Sequence, residues 1–285
     1  MKLIDYLSKA KKEHWAVGHF NFSTADQLKA IVTAAAEEKA PIMVATSEGE
    51  ADFIGHGEAV ALVKAHQKEG KAVFLNADHH KSWETIQEAI DTGYDSIHID
   101  GSALPYEENV TLTKKVVDYA RSKNPDVSIE GELGHLRGES KVQSKVEIDR
   151  DDFTKPEQVK DFVQKTGVDR LAVVVGNIHC ITTDQKEELD FGLLEEVTKA
   201  VPETTIVLHG ASGLTDYDIK KAISLGVSNI HINTEIRVAY IDALKEAVKK
   251  EPQETTPYKL FAKPFGAIKE TVKTKIKLFN SAKKI

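Results

Sequence analysis

The chain has one cysteine, Cys180, in 285 residues, so no intrachain disulfide can form, which fits a reducing compartment. No apolar run approaches the roughly 20 residues that a membrane span needs. Basic charge is not in excess: 38 Lys and Arg stand against 45 Asp and Glu, for a net charge of -7. A nucleic-acid binder needs a basic face to neutralise phosphates, so neither nucleic acid nor membrane is an expected partner. No long Pro/Gly/Ser linker divides the sequence, which reads as one domain over residues 1–285. No G-x-G-x-x-G follows an early strand, which disfavours an open doubly wound sheet. The first 15 residues read as an amphipathic helix rather than a signal peptide, and the expected setting is the cytoplasm.

What is present is a regular alternation. Hydrophobic residues make up 41% of the chain, enough for a sizeable core. Strand-type runs lie at 15–20, 42–46, 72–76, 95–99, 127–131, 170–175, 205–208 and 228–232. Helical periodicity fills 24–39, 57–69, 82–91, 106–122, 156–165, 190–200, 215–224 and 234–249. Start signals precede several helices: Ser23 to Asp26, Thr154 with Pro156, and Thr215 with Asp218. Segments 92–99, 166–173 and 225–232 echo one another, each with a helix-ending glycine, a polar turn and an alternating strand. Eight βα units in this length predict an α/β fold, a (β/α)8 TIM barrel. The stripe Phe265, Ile268, Val272, Ile276 and Phe279 predicts an extra C-terminal helix packed on the barrel or on a partner subunit, although the tail is rich in lysine.

Barrel enzymes place their chemistry at the C-terminal ends of strands. Here those ends read NADHH (76–80), SIHID (96–100), IEGELG (129–134), VVVGNIH (173–179), VLHGASG (207–213) and IHINTE (230–235). His79, His179 and His209 follow the third, sixth and seventh strands, and three imidazoles leave one position of a tetrahedral zinc open. A lone histidine is more often structural, but three at matched heights favour a metal. His14, His19, His56 and His66 are read as structural or surface residues. Asp78, Asp100, Glu130 and Glu132 accompany the imidazoles, and strand alternation puts both glutamates on one face. Such carboxylates can ligate a metal or carry a proton. The small-residue turn 209–213, with Asn233 and Thr234 opening the next helix, suits a phosphate. No lysine ends a predicted strand, so an imine mechanism lacks its amine and carbanion stabilisation falls to a metal.

These motifs resemble the class II, zinc-dependent fructose-bisphosphate and tagatose-bisphosphate aldolases, from FNFSTADQLKAIV at 20–32 to KIKLFNSAKK at 275–284. The resemblance implies Zn2+ on His79, His179 and His209, with Asp100 and Glu132 at a second or alternative divalent metal position. It implies Asp78 as catalytic acid/base, with a mobile-loop glutamate as the second, for which Glu139 is the nearest candidate. Asn21 and Ser47 match substrate contacts. Gly210, Ala211 and Ser212, with His231, Ile232, Asn233 and Thr234, match the dihydroxyacetone phosphate site, beside which the family carries a monovalent cation (Na+ or K+). Cys180 follows the strand-six histidine in that region. A homodimer or higher homo-oligomer acting on a sugar phosphate is the implied assembly.

The chain departs from the family pattern in three places. HLRGES follows EGELG where Gly-Gly and acidic residues are usual, and the family glutamate aligns on or beside Ser140. Cys180 replaces a glycine. His231 replaces an asparagine, and Asn229 replaces a lysine. Two competing readings follow from these changes: a metal-dependent aldolase for another phosphorylated ketose or keto acid, and a non-catalytic barrel.

Overall fold

The computed structural model describes residues 1–285. Eight parallel strands close into a barrel in sequential order: β1 (Val17–Asn21), β2 (Ile42–Ser47), β3 (Val73–His80), β4 (Ser96–Ile99), β5 (Ser128–Leu133), β6 (Arg170–Val173), β7 (Thr205–Leu208) and β8 (Val227–Ile232). β8 returns to β1 with Val17 opposite Asn229. Every predicted strand is found. Helices follow each strand and pack outward-facing residues such as Ile97, Ile129, Leu171 and Ile206 into one apolar layer.

Local chemistry explains the boundaries. Thr215 caps the helix Asp216–Ser224 by accepting the Asp218 N–H at 3.2 Å, and the Asp218 carboxylate returns to the Thr215 amide. The echoed glycines Gly93, Gly167 and Gly226 all take positive φ, the backbone that ends a helix and launches a strand. Thr154 is not a cap. Its hydroxyl donates to the Leu133 carbonyl at 2.6 Å and accepts the Val174 N–H at 2.8 Å, joining the ends of β5 and β6. A short helix, Glu48–Ile54, was not in the periodicity; Ser47 and Glu50 form its capping box.

The terminal helix Ala262–Leu278 packs against helices Ala25–Glu38 and Thr234–Lys250, burying Ile268, Val272 and Ile276. Its lysines are partly neutralised by the protein itself. Lys269 and Lys273 reach Glu37 at 3.1 and 3.0 Å, and Lys275 reaches Glu235 at 2.7 Å.

Branched apolar residues ordinarily fill the inside of such a barrel. Here its middle is polar. Arg170 is fully buried, forms an ion pair with Glu130 at 2.5 Å, and donates to Asn229 (2.9 Å), Asn76 (3.2 Å), Ser128 (3.2 Å) and Ser96. A buried guanidinium is tolerable only when its donors are met, and removing one member of such a pair strands the other charge. Arg170→Met should therefore lose about 3–5 kcal/mol in urea unfolding. Replacing Glu130 by Leu in the same chain should recover part of that loss; a single variant as stable as the parent would contradict the pairing.

Candidate metal centre

β3 carries two consecutive polar residues into the barrel mouth, which simple alternation forbids. The backbone solves this with a bulge. Pairing with β4 runs Ala77 to Ile97 and then jumps to His80 opposite Ile99, so two residues oppose one. His79 sits at the break with φ 49°, left-handed backbone that a non-glycine side chain seldom adopts. As a result Asp78 and His79 both face the mouth, while His80 turns outward to meet His56 at 5.8 Å between ring centres.

Around His79 the distances are short. Its Nδ1 faces Asp100 Oδ2 at 3.2 Å and Glu132 Oε2 at 3.8 Å. Its Nε2 faces His209 Nδ1 at 3.0 Å. The other nitrogen of His209, Nε2, donates to Glu130 Oε1 at 2.7 Å. When His79 gives its proton to Asp100 and His209 gives its own to Glu130, His79 Nε2 and His209 Nδ1 face each other as two lone pairs. A metal cation can fill the space between them, or a second proton on His79, whose pKa the carboxylates of Asp78 and Asp100 raise against the effect of burial. Two nitrogens at zinc-ligand distance on a tetrahedral ion stand about 3.3 Å apart, close to what is found. The residues present fit a metal.

His179 stands on the loop after β6 with its ring 4.9 Å from that of His79. Its nitrogens do not join the donor groups whose members all lie within 4.8 Å, which include His79 and His209. Burial, reinforced by His79 and His209, pushes His179 down to about 3, so it is neutral with a free lone pair. Asp100 and Glu132 form a second donor group with His79. Asp100 also accepts the Ser102 hydroxyl at 2.6 Å on its other oxygen.

Asp78 is buried, yet the imidazoles of His79, His231 and His98 overcome the desolvation and hold its carboxyl well below the usual range. Asn21 donates to Oδ2 at 3.0 Å. Oδ1 has no hydrogen-bond partner, although His231 Nδ1 lies 3.4 Å away. His231 stacks face to face on His19, ring centres 3.4 Å apart. His19 is thus part of the wall of the site, not a surface residue.

A small cavity joins these groups to the turn after β7. It is lined by Asn21, Asp78, His179, Cys180, His209, Gly210, Ser212, His231, Asn233 and Thr234. Gly210, with φ 68°, lies so close to the Ile178 carbonyl that a Cβ there would come within 2.1 Å of it. Ala211 and Ile232 are buried behind this wall, and Ser47 serves Glu50 instead of opening on the cavity. Alongside lies a cleft of about 540 Å³ lined by His79, Asp100, Glu132 and His179 and by Lys81, Arg137, Lys145 and Glu139, with Lys81 Nζ 3.7 Å from Asp100 Oδ2. Glu139 is exposed and paired with Lys141 at 2.5 Å. Ser140, beside it, meets Thr234 Oγ1 at 3.0 Å.

Sequence reasoning passed over His98, Arg170 and Glu187. Glu187 is buried behind the turn, accepts the Ile178 N–H at 3.3 Å, and leaves Oε1 without a partner. A Cβ on Gly213 would come within 1.8 Å of that oxygen, so a larger residue there would have to displace the Glu187 carboxylate.

A (β/α)8 barrel with an imidazole–carboxylate centre at its C-terminal mouth and a small-residue turn beside it defines a class of metal-assisted barrel enzymes. Within that class the assignment is specific. Residues 1–284 match the fructose-bisphosphate aldolase class-II family, and the chain belongs to it; it is an aldolase, a lyase. It is 36% identical to a probable fructose-bisphosphate aldolase of Bacillus subtilis (strain 168), over 99% of this chain and 98% of that protein. The crystal structure of the YdjI aldolase from Escherichia coli K12 is 34% identical and superposes with a TM-score of 0.83, covering 99% and 98% of the two chains. Fructose-bisphosphate aldolase from Campylobacter jejuni, 22% identical, shares the fold with a TM-score of 0.80 over 99% and 95%.

Burial pushes the Glu187 carboxyl up to about 8 from an ordinary 4.5. A carboxyl raised in the folded state contributes stability below its unfolded value and loses it as pH climbs through the folded one. Stability should therefore fall between about pH 4.5 and about pH 8 through this group. Glu187→Gln should flatten that decline in urea titrations and exceed the parent above it; identical slopes for the two proteins would contradict the assignment.

Proposed function

We propose that the chain is a zinc-dependent ketose-bisphosphate aldolase. It reversibly cleaves fructose 1,6-bisphosphate or tagatose 1,6-bisphosphate to dihydroxyacetone phosphate and glyceraldehyde 3-phosphate. The observation that carries this reading is the pair of imidazole nitrogens, His79 Nε2 and His209 Nδ1, facing at 3.0 Å beside the unpartnered Oδ1 of Asp78. His79, His209 and His179 would hold zinc. Bound there, the ion supplies Lewis acidity to the ketone and hydroxyl oxygens of the three-carbon fragment. Asp100 and Glu132 share His79 with that group and offer a second, alternative divalent position.

Asp78 is held ionised and lines the cavity, so it takes the proton from the hydroxyl that becomes the aldehyde. Asn21 fixes the opposite oxygen and so aims the carboxylate. Gly210, Ala211 and Ser212, with Asn233 and Thr234, bind the phosphate of the three-carbon fragment through backbone and hydroxyl groups. A monovalent cation beside Cys180 would balance that charge. Lys81, Arg137 and Lys145 on the cleft receive the second phosphate. Glu139, at the cleft rim, is assigned the second proton transfer. His231, stacked on His19 with Nδ1 3.4 Å from Asp78 Oδ1, narrows the room beside the reacting hydroxyl, and favours as a second reading an aldolase for another phosphorylated ketose.

Metal analysis paired with cleavage assays on the two bisphosphates tests the proposal. Chelation should abolish triose-phosphate release and added zinc should restore it. Asp78→Ala should keep its metal while kcat drops roughly 10²–10⁴-fold. Chelator-resistant cleavage, or an adduct trapped by borohydride, would overturn the mechanism.

A further inference from the structure

His98 lies at the centre of the metal-binding end of the barrel and belongs to no role described so far. It is fully buried on β4, directly beneath the bulge in β3. The bulge takes His79 out of the regular ladder, and its amide must find another acceptor or remain orphaned. His98 Nδ1 is that acceptor, at 3.1 Å from the His79 nitrogen. The opposite ring nitrogen, Nε2, faces Glu132 Oε2 at 3.0 Å. Because Nδ1 receives a proton from the His79 amide, the ring carries its own proton on Nε2 and donates it to Glu132.

We infer that His98 is a positioning residue for the metal centre: one imidazole holds the left-handed backbone of His79 and, through its other nitrogen, the carboxylate of Glu132. This inference rests on the reading of His79 and Glu132 as metal-binding groups. Neither an aliphatic nor a hydroxyl side chain could do both, because the two partners lie at opposite ends of the ring and one donates while the other accepts. The left-handed conformation is strained for a non-glycine residue and persists only where its surroundings enforce it. His98 is the enforcing contact from the neighbouring strand. It also fixes the spacing between the imidazole of His79 and the carboxylate that flanks it. Groups that orient metal ligands in this way typically change metal affinity 10–100-fold when removed.

Zinc affinity of the full chain, measured by competition with a chromophoric chelator, tests this without reference to activity. His98→Leu should stay folded by circular dichroism but bind zinc about 10–100-fold more weakly. His98→Gln, whose amide offers one acceptor and one donor, should fall between Leu and the parent. A folded Leu variant within threefold of the parent would overturn the role. If the parent itself binds no zinc, or His79→Ala binds it as well as the parent, the metal assignment has failed instead. Nitrogen NMR of the zinc-loaded parent decides the matter should the Leu variant not fold. Nδ1 of His98 must be unprotonated and Nε2 protonated, whereas a proton on Nδ1 removes the hydrogen bond on which the inference stands.

Discussion

The carboxylate of Glu130 is shared between the middle of the barrel and its mouth, and the rest of the arrangement depends on it. One oxygen receives the Arg170 guanidinium at 2.5 Å and the other receives His209 Nε2 at 2.7 Å. Both groups are completely or almost completely buried, where an unpaired charge would cost several kcal/mol. Arg170 is in turn anchored by Asn76, Ser96, Ser128 and Asn229, which come from β3, β4, β5 and β8. Thus four strands and β6 fix the orientation of one imidazole. The proton committed to Glu130 leaves the opposite nitrogen of His209 bare toward His79, and this converts a packing arrangement into a metal-binding one.

A second constraint works from the backbone. The bulge at His79 places an acid/base and an imidazole side by side, a juxtaposition that regular strand geometry would separate onto two faces. Asp78 then stands with His79 and His209 in one group of donor atoms, held ionised by its imidazole neighbours and bonded by Asn21. Fold, pairing register and proton chemistry meet in two consecutive residues. In the proposed reaction the substrate phosphates are met elsewhere, by the turn after β7 and the basic residues of the cleft.

Much of this was legible in the sequence, and the parts that were not have physical reasons. Strand ends and helices followed from period and turn chemistry because those signals are local. The glycines of the αβ turns carried their backbone requirement openly. His98 had a signal, since alternation through Ser96, His98 and Asp100 puts all three on one face, but it was passed over beside the adjacent Asp100. Arg170 had none: an arginine at the start of a strand ordinarily reads as a solvent-facing residue, and only barrel closure reveals the carboxylate and amides that accept it. His19 read as structural for the same reason, because its stacking partner His231 lies 212 residues away. The left-handed backbone at His79 cannot be read from NADHH, since it arises from pairing with another strand. Glu187 belongs to a stretch rich in charge and looked like surface until the turn at Gly213 closed over it.

In the proposed centre, side chains from three separate strand ends share one divalent ion. Anomalous diffraction at the zinc edge, from crystals of the protein as purified, reads this directly. The expected result is one strong peak at about 2.0–2.1 Å from His79 Nε2 and His209 Nδ1, with His179 completing the set. A zinc-loaded crystal whose only peaks lie away from the barrel mouth would contradict it.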